Sequence, residues 1–338
     1  MSLSLLRLRE LLNSEAKLDP SQDYIALEDA PHPALYVYEK SLALSMMKHP
    51  DLKPSNFMDF WMVLTGVTAN DILNVEQYFT KTPLLLHHQV HFEARRSLMP
   101  LYRHMEAGIP GWIDAFNAEF MAQSAAQKSI QTTEFVDTYL DALFKEIIAR
   151  ELGIDRGELP ALPGKIFQLL TRLDIILDYE ARLNALTAFL SANLRDKGAP
   201  VDQLWALLSV TVMGTDTLSG ALLYFIAHHQ EGLAVDTLLE RARPVSVVGR
   251  VATAPIQIKG LSLSAGQTVY ISTVYRNDEH QMEAMPFGVG VHLCPGKKMS
   301  QILLASFLAA WQVAPQLHTR FSKVKFFRDS VLKAKEVK

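Results

Sequence analysis

Apolar residues recur at helical spacing along most of this chain. The repeat is clear over 88–105, 132–151, 178–197, 201–228 and 296–313, which predicts a protein built mainly of α-helices. The segment VDQLWALLSVTVMGTDTLSGALLYFIAH at 201–228 is apolar nearly all round, the mark of a helix buried through the middle of a domain. Its polar residues Thr215, Asp216, Thr217 and Ser219 gather at mid-length. Strand patterns are few: 33–40 (PALYVYEK), parts of 246–273, and 323–327 (KVKFF), so a minor sheet is expected. Loops such as GIDRGELPALPG at 153–164 carry Pro and Gly, but no linker or internal repeat is visible, and a single domain over 1–338 is expected.

Composition narrows the function classes. A hydrophobic fraction of 49% with 20% charged residues belongs to a packed globular chain. The 33 basic and 36 acidic residues leave a net charge of −3 without a long like-charge run, so nucleic acid is not the expected partner. Charges at Arg7, Arg9, Glu10 and Glu15 break the amino-terminal apolar stretch too early for a membrane span or a secretory signal. A cytoplasmic protein without a membrane partner is expected.

One cysteine, Cys294, excludes an intramolecular disulfide and any multi-cysteine metal site. It sits in Phe287-Gly288-Val289-Gly290-Val291-His292-Leu293-Cys294-Pro295-Gly296, just before the apolar helix KKMSQILLASFLAAW. Glycines at 288, 290 and 296 permit a tight loop, and the following helix would offer its dipole and free N–H groups to an anionic sulfur.

This ten-residue stretch resembles the haem-binding signature of the cytochrome P450 family, with a Phe, spaced glycines, a basic residue two before the cysteine and a Gly two after it. Further motifs follow the family's order. His91 and Arg95 lie one turn apart on the helix 88–105 and can hold a carboxylate together. Gly214-Thr215-Asp216-Thr217 is similar to the Gly-x-acid-Thr of the family's central helix, with Met213 where a small residue commonly stands. Glu240 and Arg243 resemble a structural Glu-x-x-Arg ion pair, and PVSVVGR, ending at Arg250, resembles a strand that enters the haem edge. The segment YVYEKSLALSMMKHPDLKPS looks like the family's first strand and short helix.

The resemblance implies a mainly α, P450-like fold with a minor sheet, shortened at the amino-terminal sheet and at the meander between Tyr275 and Phe287. There RNDEHQMEAMP leaves Arg276 as the stand-in for a missing arginine. It also implies haem b with Cys294 as axial thiolate. His91, Arg95, Arg250 and His292 would bind the propionates, while Phe287, Gly296 and Gly214 would pack about the cofactor. Gly214 would open a space for dioxygen, Thr217 would hydrogen-bond the bound oxygen, and Asp216 would relay protons. The implied activity is a monooxygenase acting on a small or medium organic substrate, free or tethered to a carrier protein. No dinucleotide fingerprint is present, so electrons would come from a ferredoxin and ferredoxin reductase. Lys297 and Lys298 are either docking charges or ordinary solvated lysines. A peroxide-using or isomerase-type enzyme and a non-catalytic haem-binding protein are the alternatives. Pocket residues are expected from 55–88, 165–180 and the Met213 region.

Overall fold

The computed structural model describes residues 3–13, 22–27, 34–55, 69–166, 173–228, 232–276, 282–328 and 331–337. The first part of the chain forms α1 Leu3–Leu12, β1 Tyr24–Leu27, β2 Ala34–Glu39, α2 Lys40–Lys48 and β3 Leu52–Pro54. The helical body follows, with α3 Leu73–Lys81, α4 His88–Gly108, α5 Ile113–Ser124, α6 Thr132–Leu152, α7 Leu173–Asp196, α8 Val201–Ala227 and α9 Val235–Ala242. Then come β4 Val247–Ala252, β5 Ile256–Ile258, β6 Leu261–Leu263, β7 Thr268–Arg276, β8 Met282–Ala284, α10 Lys297–Gln312, β9 Val324–Arg328 and β10 Leu332–Glu336. All five helices read from the periodicity are present, as are the strands within 33–40, 246–273 and 323–327. The protein is mainly α with small sheets.

The apolar circumference of α8 has the consequence its sequence dictates. Every residue from Leu204 to Val212 and from Leu218 to Leu223 is buried, and α4, α6, α7, α9, α10 and β10 all pack on this helix. Among the described residues it is the helix long and apolar enough to cross a membrane, and 83% of its most apolar stretch is buried inside the molecule. Two glycines let neighbours approach it closely. A Cβ on Gly214 would stand 2.6 Å from Cζ of Phe144 in α6, and one on Gly220 would stand 3.1 Å from the Leu332 carbonyl of β10. Only four residues separate α7 from α8, with Gly198 in the left-handed region (φ 64°) turning the chain, as the sequence led one to expect of helix 178–197.

The main sheet runs β1-β2-β7-β4-β3, with β8 added to β7. β2 pairs parallel with β7, and the other pairs are antiparallel. Leu35, Val37, Val269 and Ile271 fill one of its cores together with α2, so this sheet carries its own apolar layer beside the helical body. β5 and β6 form a hairpin through Lys259 and Gly260, both at positive φ as its two-residue turn demands.

Several helix ends are capped by residues far away in the chain. α3 begins after Ile72, which offers no side-chain cap. Glu180 of α7 supplies one instead, accepting from the backbone N–H of Asn74 at 2.7 Å and of Val75 at 3.0 Å. α6 likewise begins after an uncapping Gln131, and Glu336 of β10 accepts from the Thr133 N–H at 2.9 Å and from its hydroxyl at 3.0 Å. At the far end of α9, Arg328 of β9 donates to the carbonyls of Ala242 (3.1 Å) and Arg243 (2.9 Å). α9 stops at Ala242, and Arg243 is its C-cap in the left-handed region (φ 50°), so of the expected Glu240–Arg243 pair the glutamate lies in the last turn of the helix and the arginine just past its end. The side chain of Arg276 lies outside the described residues.

Candidate active site

The cysteine loop is built as its glycines suggest. Gly288 (φ 67°) and Gly290 (φ 68°) occupy left-handed conformations that a side chain would strain. The loop closes through the Cys294 N–H to the Phe287 carbonyl (2.9 Å) and the Leu293 N–H to that of Gly290 (3.1 Å). Gly296 is the N-cap of α10, and a Cβ placed there would lie 3.9 Å from the Cys294 Sγ. The thiol therefore faces the amino end of α10 and draws on the Gly296 N–H. Burial nevertheless pushes its pKa up, and the hydrogen bond from Gly296 and the nearby Arg95 offset this only in part. The Gly296 N–H at the helix end thus favours the anionic sulfur, as expected, while burial opposes it.

A basic cluster surrounds this loop. Arg95 reaches from α4 and donates to the Leu293 carbonyl at 2.7 Å, tying helix and loop together. One turn earlier on α4, His91 is buried, with its ring 4.3 Å from that of His292. His87 stacks near His292 at 6.3 Å, and its Nε2 meets the Pro50 carbonyl at 2.7 Å. Arg250 of β4 is 8% exposed; it donates from Nη1 to the Gly249 carbonyl, and its buried Nε has no hydrogen-bond partner.

The electrostatics agree with this geometry. Burial, then Arg250, His91, His87 and Arg95, push the His292 pKa down to about 3. Burial, followed by Arg95, His87 and Arg250, likewise lowers that of His91. Burial holds Arg250 down to about 10. The charged neighbours acting on His292 and His91 are all basic. Five cationic or protonatable groups converging without a carboxylate, one of them an arginine with an orphaned buried N–H, are suited to a multiply anionic group. His91, Arg95, Arg250 and His292 come together as expected, and His87 joins them. The residues present thus fit a haem, whose two carboxylates this cluster would receive while Cys294 meets the iron.

On α8, Asp216 is buried at 3% exposure, and Thr217 is half-buried. The Thr217 hydroxyl donates back to the Met213 carbonyl at 3.1 Å, with that of Gly214 at 3.4 Å. This is the bond to the preceding turn that its position suggested. Asp216 acts on Tyr179 of α7. The room left by the missing side chain of Gly214 admits the Phe144 ring, so the glycine opens space against a neighbour and serves the crossing of α6 and α8.

Of the expected pocket stretches, 56–68 and 167–172 lie outside the described residues. The described parts do meet, because α3 packs on both α7 and α8. They bring Tyr78, Thr82, Tyr179 and Ser209 together, with Tyr102 of α4 beside them. Sequence reasoning missed these hydroxyls because they are scattered over α3, α4, α7 and α8 with no shared motif. Tyr102 joins the two halves of the site: it interacts with Ser209 on one side and with Cys294 and Arg95 on the other.

No family model and no curated protein matches the sequence. Solved structures match by shape. The chain has the cytochrome P450 fold. It is similar to the hybrid P450 OxyBtei(BC/FGvan), with a TM-score of 0.70, 16% identity and 99% of each chain covered. It is similar also to P450BioI, solved with a hexadec-9Z-enoic acid ligated acyl carrier protein (TM-score 0.69, 15% identity, 98% of each chain). A third match is PksS, a cytochrome P450 of the bacillaene polyketide synthase of Bacillus subtilis 168 (TM-score 0.67, 14% identity, 97% of this chain and 96% of that one).

Proposed function

We propose that this chain is a haem-thiolate monooxygenase that inserts one oxygen atom of O₂ into an organic substrate. The observation that carries the reading is the convergence of His91, Arg95, Arg250 and His292 around the Cys294 loop with no acidic group acting on His91 or His292. When bound, haem b supplies reductive activation of O₂, one oxygen atom going to the substrate and the other leaving as water. Cys294 would ligate the iron, and the four basic residues would hold the propionates, which would offset the repulsion between Arg95 and Arg250. Phe287 braces the loop through its carbonyl bond to the Cys294 N–H. The neighbouring residues of α8 would manage protons. The Asp216 carboxylate is buried and acts electrostatically on Tyr179, and from this position it would take up a proton and pass it toward the active centre. The Thr217 Oγ1, oriented by the Met213 carbonyl, is the adjacent proton-bearing atom.

Two electrons per turnover would come from a ferredoxin and its reductase, with Lys297 and Lys298 exposed beside the loop. The likeness to P450BioI, solved with its acyl carrier protein, supports a carrier-tethered substrate as a variant of this reading. The test is spectroscopic. Protein produced with a haem supply should show the red-shifted absorption of a thiolate-ligated carbon monoxide complex on reduction, and Cys294→Ser should abolish it. A wild-type protein that takes up no haem, or a band that survives in C294S, overturns the proposal.

A further inference from the structure

The face of α8 turned toward α3 and α7 carries a row of hydroxyl groups that the proposed chemistry does not use. Ser209 stands two turns before Asp216 on the same helical face. Around it lie Tyr78 of α3, Thr82 at the end of that helix, and Tyr102 of α4, while Tyr179 of α7 bridges toward Asp216. Their mutual influence places them together: Tyr78 is affected by Tyr102, Ser209 and Thr82, and Tyr179 by Tyr78 and Asp216. Tyr78, Thr82, Tyr179 and Ser209 are 1%, 1%, 2% and 7% exposed, and the side-chain oxygen of each is buried without a hydrogen-bond partner. Ser209 is near enough to both Tyr78 and Tyr102 to act on them, yet the row does not close into hydrogen bonds of good geometry.

Such groups are scarce in folded proteins, and four in one place call for an account. Packing gives none, since Phe, Val and Ala would fill the same volumes without leaving polar atoms unpaired. The row spans the region between Asp216 and the elements next to Cys294, and it belongs to the segments expected to line a pocket.

We propose that Tyr78, Thr82, Tyr179 and Ser209 form the polar end of the substrate pocket, and that the substrate is a neutral molecule whose amide, ketone or alcohol group hydrogen-bonds there. The proposal rests on the monooxygenase reading and deepens it. The charged groups acting on Tyr179 are the carboxylates of Asp216 and Glu180, and those acting on Tyr102 are Cys294 and Arg95, the latter already engaged with Leu293 beside the cysteine. A free carboxylate entering the row would meet like charge at Tyr179. A hydroxyl row both donates and accepts, so a neutral amide, ketone or alcohol suits it.

The test uses haem-loaded protein, with haem content and the carbon monoxide spectrum recorded first so that failure of the oxygenase reading is seen separately. Decanamide and decanoate serve as probes in equilibrium dialysis, and thermal unfolding is followed in Tyr78→Phe, Thr82→Val, Tyr179→Phe and Ser209→Ala. Wild-type protein should bind the amide about tenfold more tightly than the carboxylate, and a Y78F/S209A double variant should lose most of that preference. The four single variants should keep or raise the wild-type unfolding temperature, because each removes an unpaired hydroxyl and no hydrogen bond. Wild-type protein without preference for the amide, a double variant that retains it, or a general fall in unfolding temperature overturns the proposal. Amide preference in a protein that shows no thiolate spectrum overturns the oxygenase reading and leaves the polar pocket standing.

Discussion

At the scale of single residues, the site divides into groups that hold and groups that move protons. Replacing His91 and Arg95 together by Ala removes two partners of a buried anionic group. Each charge-assisted bond is worth about 1.5–3 kcal/mol, so haem should be lost readily, as measured by the haem-to-protein ratio after gel filtration. Thr217 makes no contribution to that cluster. Thr217→Ala should therefore keep the haem spectrum while electron use becomes uncoupled from product and appears as hydrogen peroxide. Product formed per NAD(P)H consumed, with a surrogate ferredoxin system, measures this, and wild-type coupling would refute the role of the hydroxyl. Residues of this kind were legible in the sequence where the motif is contiguous. The loop from Phe287 to Gly296 could be read directly because its glycines, cysteine and following helix are one local unit. The ring that Gly214 admits was not legible, because spacing does not reveal how α8 is rotated against α6, and Phe144 lies in another helix. The burial of the thiol was not legible for a related reason: a helix terminus is visible in sequence, whereas the desolvation that opposes it is not.

At the scale of elements, the helices were legible and their caps were not. Periodicity marks a buried stripe, and α4, α6, α7, α8 and α10 each bury a long one. α3 and α5 escaped because the first is short and the second places Asn117 and Ser124 among its buried residues. Asn117 is fully buried, bonding to the Tyr139 hydroxyl and to Ser306 of α10 at 2.8 Å each, so a polar letter here belongs to the core. The caps from Glu180, Arg328 and Glu336 act across the fold and leave no local signature. Glu336 offers a measurable case. Burial alone would raise its pKa, but hydrogen bonds from Ser322, Thr133 and Thr132 together outweigh that and lower it. A carboxylate lowered in the folded state adds stability that is fully present above its ordinary value of 4.5 and is lost as the pH falls through the folded value. Glu336→Ala should cost about 1 kcal/mol near neutrality, and the difference from wild type should shrink in urea unfolding as the pH drops below the ordinary carboxylate range.

Across the whole molecule, the basic cluster sets a condition on stability. Arg95 of α4 and Arg250 of β4 are its charged members, with the imidazoles of His87, His91 and His292 held neutral beside them, so the two guanidinium groups repel one another and push apart the elements that frame the site. A bound dianion reverses that force. Haem-loaded protein should unfold several degrees above the haem-free form, and citrate should raise the unfolding temperature of the haem-free form more than chloride at equal ionic strength. Identical responses to citrate and chloride would show that the cluster does not act as one anion site. The fold class was legible from the helical pattern and the order of the motifs. The strand order β1-β2-β7-β4-β3 and the hydroxyl row were not, because each is assembled from segments that only the folded chain brings together.

The capping of α6 by Glu336 also bears on how the protein is made. Thr133 and Glu336 are 203 residues apart, so during synthesis the first turn of α6 emerges long before its partner exists. Ser322 and Arg328, which serve the Thr132 backbone and the end of α9, arrive nearly as late. At about 5–20 residues per second, that delay lasts some ten seconds or more. For about the second half of it the central apolar helix has been translated but lacks β10, the strand that covers Gly220. The nascent chain therefore holds an unfinished helical body until the β9–β10 hairpin is made and closes over it.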